Sequence, residues 1–469
     1  MIKINFRKIS FLSSSLILLL SSCSKNFKDD DFTAYFGGEV TNPRNTYVLL
    51  YKDSKLIDTL ELNKENRFFV KFDSLTPGLY TFKHEPEYQY VYFDKNDSIM
   101  VHINANDFDE SIIFCGRGEE KNNFLMELYL KNEQDKESMY DVVKYEPAQF
   151  IKTIDTAQEA REKFYKTKKE ELKWGADFDI YAKATLDLYN YSKKEIYPEA
   201  HFITTREDIT SKLPENFYDY RKGVNFNNPE LTNFSPFVRY LSVMLDNIAS
   251  KDNFSKHLSS DTALEKNIKK LNIADTLFKN DKVKNTVLNN IAFLYLLEDQ
   301  HIINNQKFLE RFYQLSTDTN QQNEIRKIGD ATQLLKVGNR LPEVKLNNTD
   351  DLPISQADLL NKKTVIFFWT SKAESHFEAA HKKVKALKLK YPNTQFVAVN
   401  IEDSYADWKK ILAKYQFDGI TELRAPNFED LKDKWVITKI HRTMVTNADG
   451  TIENAFTNLF DVKFEDNLK

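Results

Sequence analysis

The spacing of apolar residues changes twice along the chain. From residue 32 to about 116 it has period two, the alternation of a strand with one buried face. Turn signals such as Asn63-Lys-Glu-Asn66 and Pro77-Gly78 interrupt it. The pattern predicts strands at Tyr47–Lys52, Leu56–Leu62, Phe68–Phe72, Gly78–His84, Tyr88–Phe93, Ser98–Ile103 and Ser111–Cys115. Short strands rich in Tyr, Phe, Val and Ile at this spacing indicate a small antiparallel β sandwich over residues 32–118. Cys115, on the last strand, is expected as a small buried apolar side chain. Gly116-Arg-Gly118 lacks the third glycine and the Lys-Ser/Thr pair of a phosphate loop, so it reads as a turn into a helix.

From Glu119 to about Leu335 the period becomes helical, which predicts an all-α block over residues 119–336. Phe124, Leu125, Leu128 and Tyr129 share one face. Ser235-Pro236 supplies an N-cap and a proline at the first helical position, followed by the stripe Phe237, Leu241, Leu245 and Ile248. Val283–Leu297 is apolar around most of its circumference, as a helix at the centre of a bundle must be. No repeat of fixed period is present, and no nucleophile–base pattern or carboxylate pair stands out.

The third block, residues 337–469, opens at Val337-Gly338-Asn339-Arg340-Leu341-Pro342. Thr364–Trp369 is a continuous apolar run, the signature of a strand covered on both faces. Ser371-Lys-Ala-Glu374 has the spacing of a capping box, and Phe377, Val384, Leu387 and Tyr391 mark the buried face of the helix it would start. Phe396–Asn400 reads as a second parallel strand. Thr443–Asn447 and Thr451–Phe456 flank Ala448-Asp449-Gly450 and form a hairpin. The expected order is βαβ, a further helix, then ββ.

Composition narrows the function. A chain of 469 residues has room for about three domains. With 29% charged residues and a formal charge of −4, it carries no basic field for nucleic acid. Its only cysteines are Cys23 and Cys115, so it can build neither a disulfide framework nor a cysteine metal cluster by itself.

Residues 1–22 have the layout of a secretory signal peptide: basic Lys3, Arg7 and Lys8, the apolar run Phe11–Leu20, then Ser21-Ser22. Leu20-Ser21-Ser22-Cys23 resembles the lipobox of bacterial lipoproteins, which implies a diacylated (palmitate-type) Cys23 as the mature N-terminus. More than one acyl chain gives stable membrane anchoring where one does not. Cleavage takes three positive charges from a chain of −4 and leaves −7. Residues 23–31 (Cys-Ser-Lys-Asn-Phe-Lys-Asp-Asp-Asp) form an acidic tether that resembles the signal exporting some Gram-negative lipoproteins to the cell surface. The expected location is therefore the outer membrane, on its periplasmic or its outer face.

Gly338–Pro342, Phe368-Trp369-Thr370-Ser371, Phe396–Asn400, Asp407-Trp408 and Asn447–Gly450 together resemble TlpA-like extracytoplasmic thioredoxin-fold proteins, which are thiol–disulfide oxidoreductases and relatives in cytochrome c maturation. The β block, ending in Phe114-Cys-Gly-Arg-Gly118 and Asn122-Asn123, resembles a small domain that often precedes such modules in lipoproteins. The resemblance implies a C-terminal α/β thioredoxin-like fold. It also implies a Trp-Cys-x-x-Cys motif directly after Ser371, where this chain has Lys372 for the tryptophan and Ala373 and His376 for the cysteines. The family's cis-proline falls on His441.

In redox-active relatives a thiolate at a helix N-terminus attacks a disulfide and a second cysteine resolves the product. Neither alanine nor imidazole can do this, so the residues argue against a catalytic thiol exchange. No cofactor is implied. What remains is a candidate binding surface of Trp369, Lys372, Glu374, His376 and His441, where active relatives bind peptide segments. His376 and His441, with Glu374, are a weaker metal or acid–base candidate. The reading is an envelope lipoprotein that binds a protein or peptide partner. The alternative is an accessory in thiol–disulfide homeostasis that works through a partner's cysteines.

Overall fold

The computed structural model describes residues 32–250, 260–298, 302–417, 419–461 and 463–468. The signal peptide, Cys23 and the tether lie outside the described residues. Among those described, no helix is long and apolar enough to cross a membrane. The chain forms two compact units, one running to Glu133 and including Phe164–Ala182, the other comprising Gln134–Lys163 and Lys183–Lys469.

The first unit holds two four-stranded sheets. One has the order β4 (Arg67–Phe72), β1 (Ala34–Thr41), β7 (Ser98–Asn104), β8 (Ile113–Arg117). The other has β3 (Lys55–Glu61), β2 (Tyr47–Lys52), β5 (Gly78–His84), β6 (Glu87–Phe93). Inward side chains of both, among them Phe36, Val48, Phe82, Phe93, Val101 and Phe114, make a single core. The period-two reading placed seven strands but not β1, whose Gly37-Gly38 pair weakens the pattern. It also expected antiparallel pairing throughout, whereas β1 runs parallel to β7. β1 is an inner strand, and Gly38 approaches β7 so closely that a Cβ there would meet the Val101 carbonyl at 2.2 Å.

The last strand is shifted as well. Phe108–Ser111 is a single helical turn (α1), and β8 begins at Ile113. In that register Phe114 points inward and Cys115 outward, opposite Met100, so Cys115 is exposed and not buried as expected. Helix α2 (Glu119–Val142) follows. Its Asn122 brackets the backbone of Tyr92 and its Asn123 that of Phe114, each side-chain amide accepting from the N–H and donating to the C=O. Two side chains thereby serve strand backbone that would otherwise lack partners.

In the second unit α7 (Asp281–Glu298) packs against α5 (Ser235–Ser250), α6 (Ser260–Leu277), α8 (Ile302–Leu315) and α9 (Thr319–Leu334), in agreement with its apolar circumference. Helices α3 (Pro147–Leu172) and α4 (Ala176–Thr205), like α2, contribute to both units.

The C-terminal sheet has the order β11 (Thr421–Arg424), β10 (Gln395–Asn400), β9 (Thr364–Trp369), β12 (Arg442–Thr446), β13 (Ile452–Asn458). Strands β9, β10 and β11 are parallel, and β12 and β13 return antiparallel. Every residue of β9 is buried. Ile366 and Phe368 face Trp435 and Ile437, a core that Ala331 and Leu335 at the end of α9 also join. Val365, Phe367 and Trp369 face Phe377, Val384 and Leu387 of α11 (Glu374–Lys390) and Trp408 of α12 (Tyr405–Tyr415). The single turn α10 (Gln356–Leu359) precedes the sheet. Strand β11 and helix α13 (Phe428–Trp435) were not anticipated; for β11, four residues carrying a Glu and an Arg give no apolar run.

Asp187 on α4 provides a pH probe of this unit. Burial raises its carboxyl to about 6, with Lys183 opposing and Glu162 adding repulsion. The folded state therefore holds a proton that the unfolded chain releases near 3.8. Stability falls as pH rises across that window. Asp187→Asn keeps an acceptor for Gln158 Nε2, which lies 3.3 Å from the carboxylate. The substitution is expected to raise stability at pH 7 by up to about 3 kcal/mol and to flatten this part of the pH dependence. Urea unfolding at pH 4.5 and pH 7 checks it, and an unchanged slope in the variant contradicts it.

Candidate functional site

The chain leaves the sheet at Trp369, turns through Thr370–Ala373 and enters α11. One carboxylate holds that turn. Asp403, after β10, accepts from Thr370 Oγ1 (3.0 Å) and Ser371 Oγ (2.7 Å) on Oδ1, and from the Ser371 N–H (2.7 Å) and Asn400 Nδ2 (2.6 Å) on Oδ2. It is buried, and four donors replace the water it gives up. The capping box expected at Ser371-x-x-Glu374 is therefore not formed. Ser371 is committed to Asp403, the helix begins at Glu374, and Ala373 is an N-cap without a side-chain hydrogen bond.

The structure separates the sequence-derived candidates. Trp369 is fully buried and belongs to the core, so it is removed from the binding surface. Glu374 is exposed but turned to Tyr415 and Lys414, whose hydrogen bonds hold its carboxyl below the ordinary value. It does not join the histidines. Lys372 lies 3.9 Å from Glu402. Ala373 and His376 occupy the N-cap and the first turn of α11.

His376 and His441 are brought together. His376 is half-buried, with Nε2 3.2 Å from the Phe368 carbonyl and its ring 6.0 Å from that of Phe460. A carbonyl partner requires the proton on that nitrogen, which leaves no lone pair there for a metal. Burial holds its pKa below the ordinary value. The backbone of Phe368 opposes this, and nearby His441 repels the charged form. His441 is exposed, and its pKa is also lowered, by partial burial and then by Lys439. The peptide bond before His441 is trans; the cis bond among the described residues is Glu85–Pro86. No group of three or more His, Cys, Asp or Glu able to hold a metal occurs among the described residues.

Beneath this corner lies a polar trio that sequence reasoning missed. His381, one turn further along α11, is buried and places Nδ1 2.6 Å from the Phe377 carbonyl and Nε2 3.0 Å from Glu422 Oε1. Glu422 Oε2 accepts from Trp369 Nε1 at 3.2 Å. Phe417 stacks on the imidazole with ring centres 3.7 Å apart. The Nδ1 contact fixes a proton there, so His381 and Glu422 share one proton between Nε2 and Oε1. Burial raises the Glu422 carboxyl, with His381 and then Trp369 opposing. No local pattern announces this trio, since its members are 41 and 53 residues apart in sequence.

With this geometry in place, residues 361–452 match a family described as thioredoxin-like. The C-terminal domain is thus a thioredoxin-like α/β domain in a multidomain chain. Solved structures similar to it include a thioredoxin-like protein from Bacteroides caccae (13% identity, 58% of this chain and 90% of that one, TM-score 0.35). The thioredoxin domain of a thiol-disulfide oxidoreductase from Bacteroides vulgatus is another (15%, 28% and 98%, 0.24). A third is a secreted Mycobacterium tuberculosis disulfide oxidoreductase (18%, 23% and 78%, 0.20). No curated protein matches the chain.

The shared proton yields a prediction. Glu422→Gln replaces a carboxyl by an amide that can donate to His381 Nε2 and accept from Trp369, and should cost under about 1 kcal/mol. Glu422→Ala strands two buried polar groups and should cost about 3 kcal/mol. Urea denaturation of both variants checks the order; equal losses contradict a neutral pair.

Proposed function

We propose that this chain is a cell-envelope lipoprotein whose thioredoxin-like domain has lost its dithiol and works by binding a protein or peptide partner. One observation carries the reading: the two positions at the start of α11 that need sulfur are Ala373 and His376, and Asp403 holds the preceding turn. Cys115 is on β8, in the other compact unit. The binding surface comprises Lys372, His376, His441 and the half-exposed Phe460. Glu374 stands at its edge.

The finer organisation is part of the same proposal. A signal peptide (1–22) and an acidic tether (23–31) precede a β sandwich (32–118), a helical domain (119–336) and the thioredoxin-like domain (337–469). An acylated Cys23 anchors the chain in the outer membrane. The thioredoxin-like match also accommodates an accessory role, in which the domain presents substrates to a true oxidoreductase.

An insulin-reduction assay tests the central claim. The wild type is expected to be inactive, and Ala373→Cys with His376→Cys to gain disulfide-reducing activity of at least about tenfold over it. Wild-type activity that persists in Cys115→Ser contradicts the proposal. Crosslinking in intact cells followed by pull-down separates the two roles: a disulfide enzyme supports the accessory role, a nutrient-uptake complex supports scaffolding.

A further inference from the structure

Beside His441 is a cavity of about 360 Å³, walled by the Lys439–Arg442 turn, β13, the segment around Asp461 and Lys463, and Leu297 near the end of α7. It is lined by the guanidinium of Arg442, which has no carboxylate partner among the described residues. Arg442 Nε donates to the Ala455 carbonyl (2.6 Å), and its terminal nitrogens donate to Val436 (3.3 Å) and Trp435 (3.4 Å). The Phe456 ring lies 3.8 Å beneath it. All three acceptors are backbone oxygens. The last two end α13, where the helix dipole contributes only a partial negative charge. Burial alone acts on this side chain, and it lowers the pKa to about 9.

The rim adds to the imbalance. The ammonium groups of Lys439 and Lys463 meet no carboxylate among the described residues. Asp461, the one acid on the wall, accepts the Lys463 backbone N–H at 2.8 Å. Three cations therefore face one carboxylate around a cavity wide enough for a side chain and its water. Arg442 carries five N–H donors and spends three on carbonyls, so two remain for an anion.

We propose that this cavity receives a carboxylate carried by an acidic peptide segment, with Lys439 and Lys463 as its charge contacts and Arg442 as a fixed positive floor. The inference rests on the peptide-binding reading of the corner and specifies the chemistry of the partner.

Fluorescence anisotropy on the full chain tests it, using fluorescein-labelled Gly/Ser peptides with several Glu, Gln or Lys residues, with inorganic phosphate measured separately by calorimetry. The Glu peptide should bind at least about tenfold tighter than the Gln peptide and weaken with salt. The double substitution Lys439→Gln, Lys463→Gln should lose that tenfold preference. Lys410→Gln on the exposed face of α12 should retain it. Equal binding of Glu and Gln peptides overturns the carboxylate cavity and leaves peptide binding standing; failure of every peptide to bind overturns both. Phosphate bound without any Glu-peptide binding makes the site one for free small anions and overturns the peptide assignment. Recovery of the same crosslinked partner from wild type and the double variant in equal yield separates partner binding from this cavity.

Discussion

The Asp403 carboxylate is the interaction on which the corner of the thioredoxin-like domain depends. A chain leaving a fully buried parallel strand must turn at once, and the turn exposes backbone and hydroxyl donors in a place water does not reach. Asp403 gathers those donors from the turn and from the end of β10, tying two adjacent strand ends to one side chain. Four charge-assisted hydrogen bonds on one buried acid form a network that is stable when complete and costly when any member is removed. The same bonds withdraw Ser371 from the helix, so α11 starts at Glu374 with a bare N-cap.

A second buried acid sits one layer down. Glu422, His381 and Trp369 connect β11, α11 and β9, and they do so in the middle of an aromatic cluster. An apolar trio of similar volume would pack there with less desolvation. The polar trio, though, accepts only one register between the helix and the edge strand, since each polar atom has a single partner within reach. The two acids together hold the shape of this corner.

The peripheral chemistry is unevenly distributed. On the α11 side the charged groups are paired: Glu374 with Tyr415 and Lys414, Lys372 with Glu402. On the β13 side the hydrogen bonds of Arg442 go to backbone oxygens, and the ammonium groups of Lys439 and Lys463 meet no carboxylate among the described residues. Surface pairs of the first kind contribute little and are screened by salt. An unbalanced buried cation is different, because its desolvation is already complete before a ligand arrives.

Periodicity and turn residues alone located β2 to β7 within a residue or two, the start of α5, the central position of α7, and the strands β9, β10, β12 and β13. These elements are set by local apolar spacing, which every compact arrangement of the chain has to respect. That no cysteine stands in the turn after Trp369 was equally legible, since composition fixes it whatever the fold. Elements whose burial is created by distant residues were not legible. Strand β1 needs Val101 to press against Gly38, β11 needs His381 to make a buried glutamate tolerable, and Cys115 faces outward because β8 starts after a helical turn. The resemblance placed Trp369 on the binding surface although its apolar run already marked it for burial, and nothing local marks Arg442, which α13 ends against. Local sequence determined which segments could become strands and helices. Only the tertiary structure decided which polar groups lost their water, because desolvation depends on what the rest of the chain brings near.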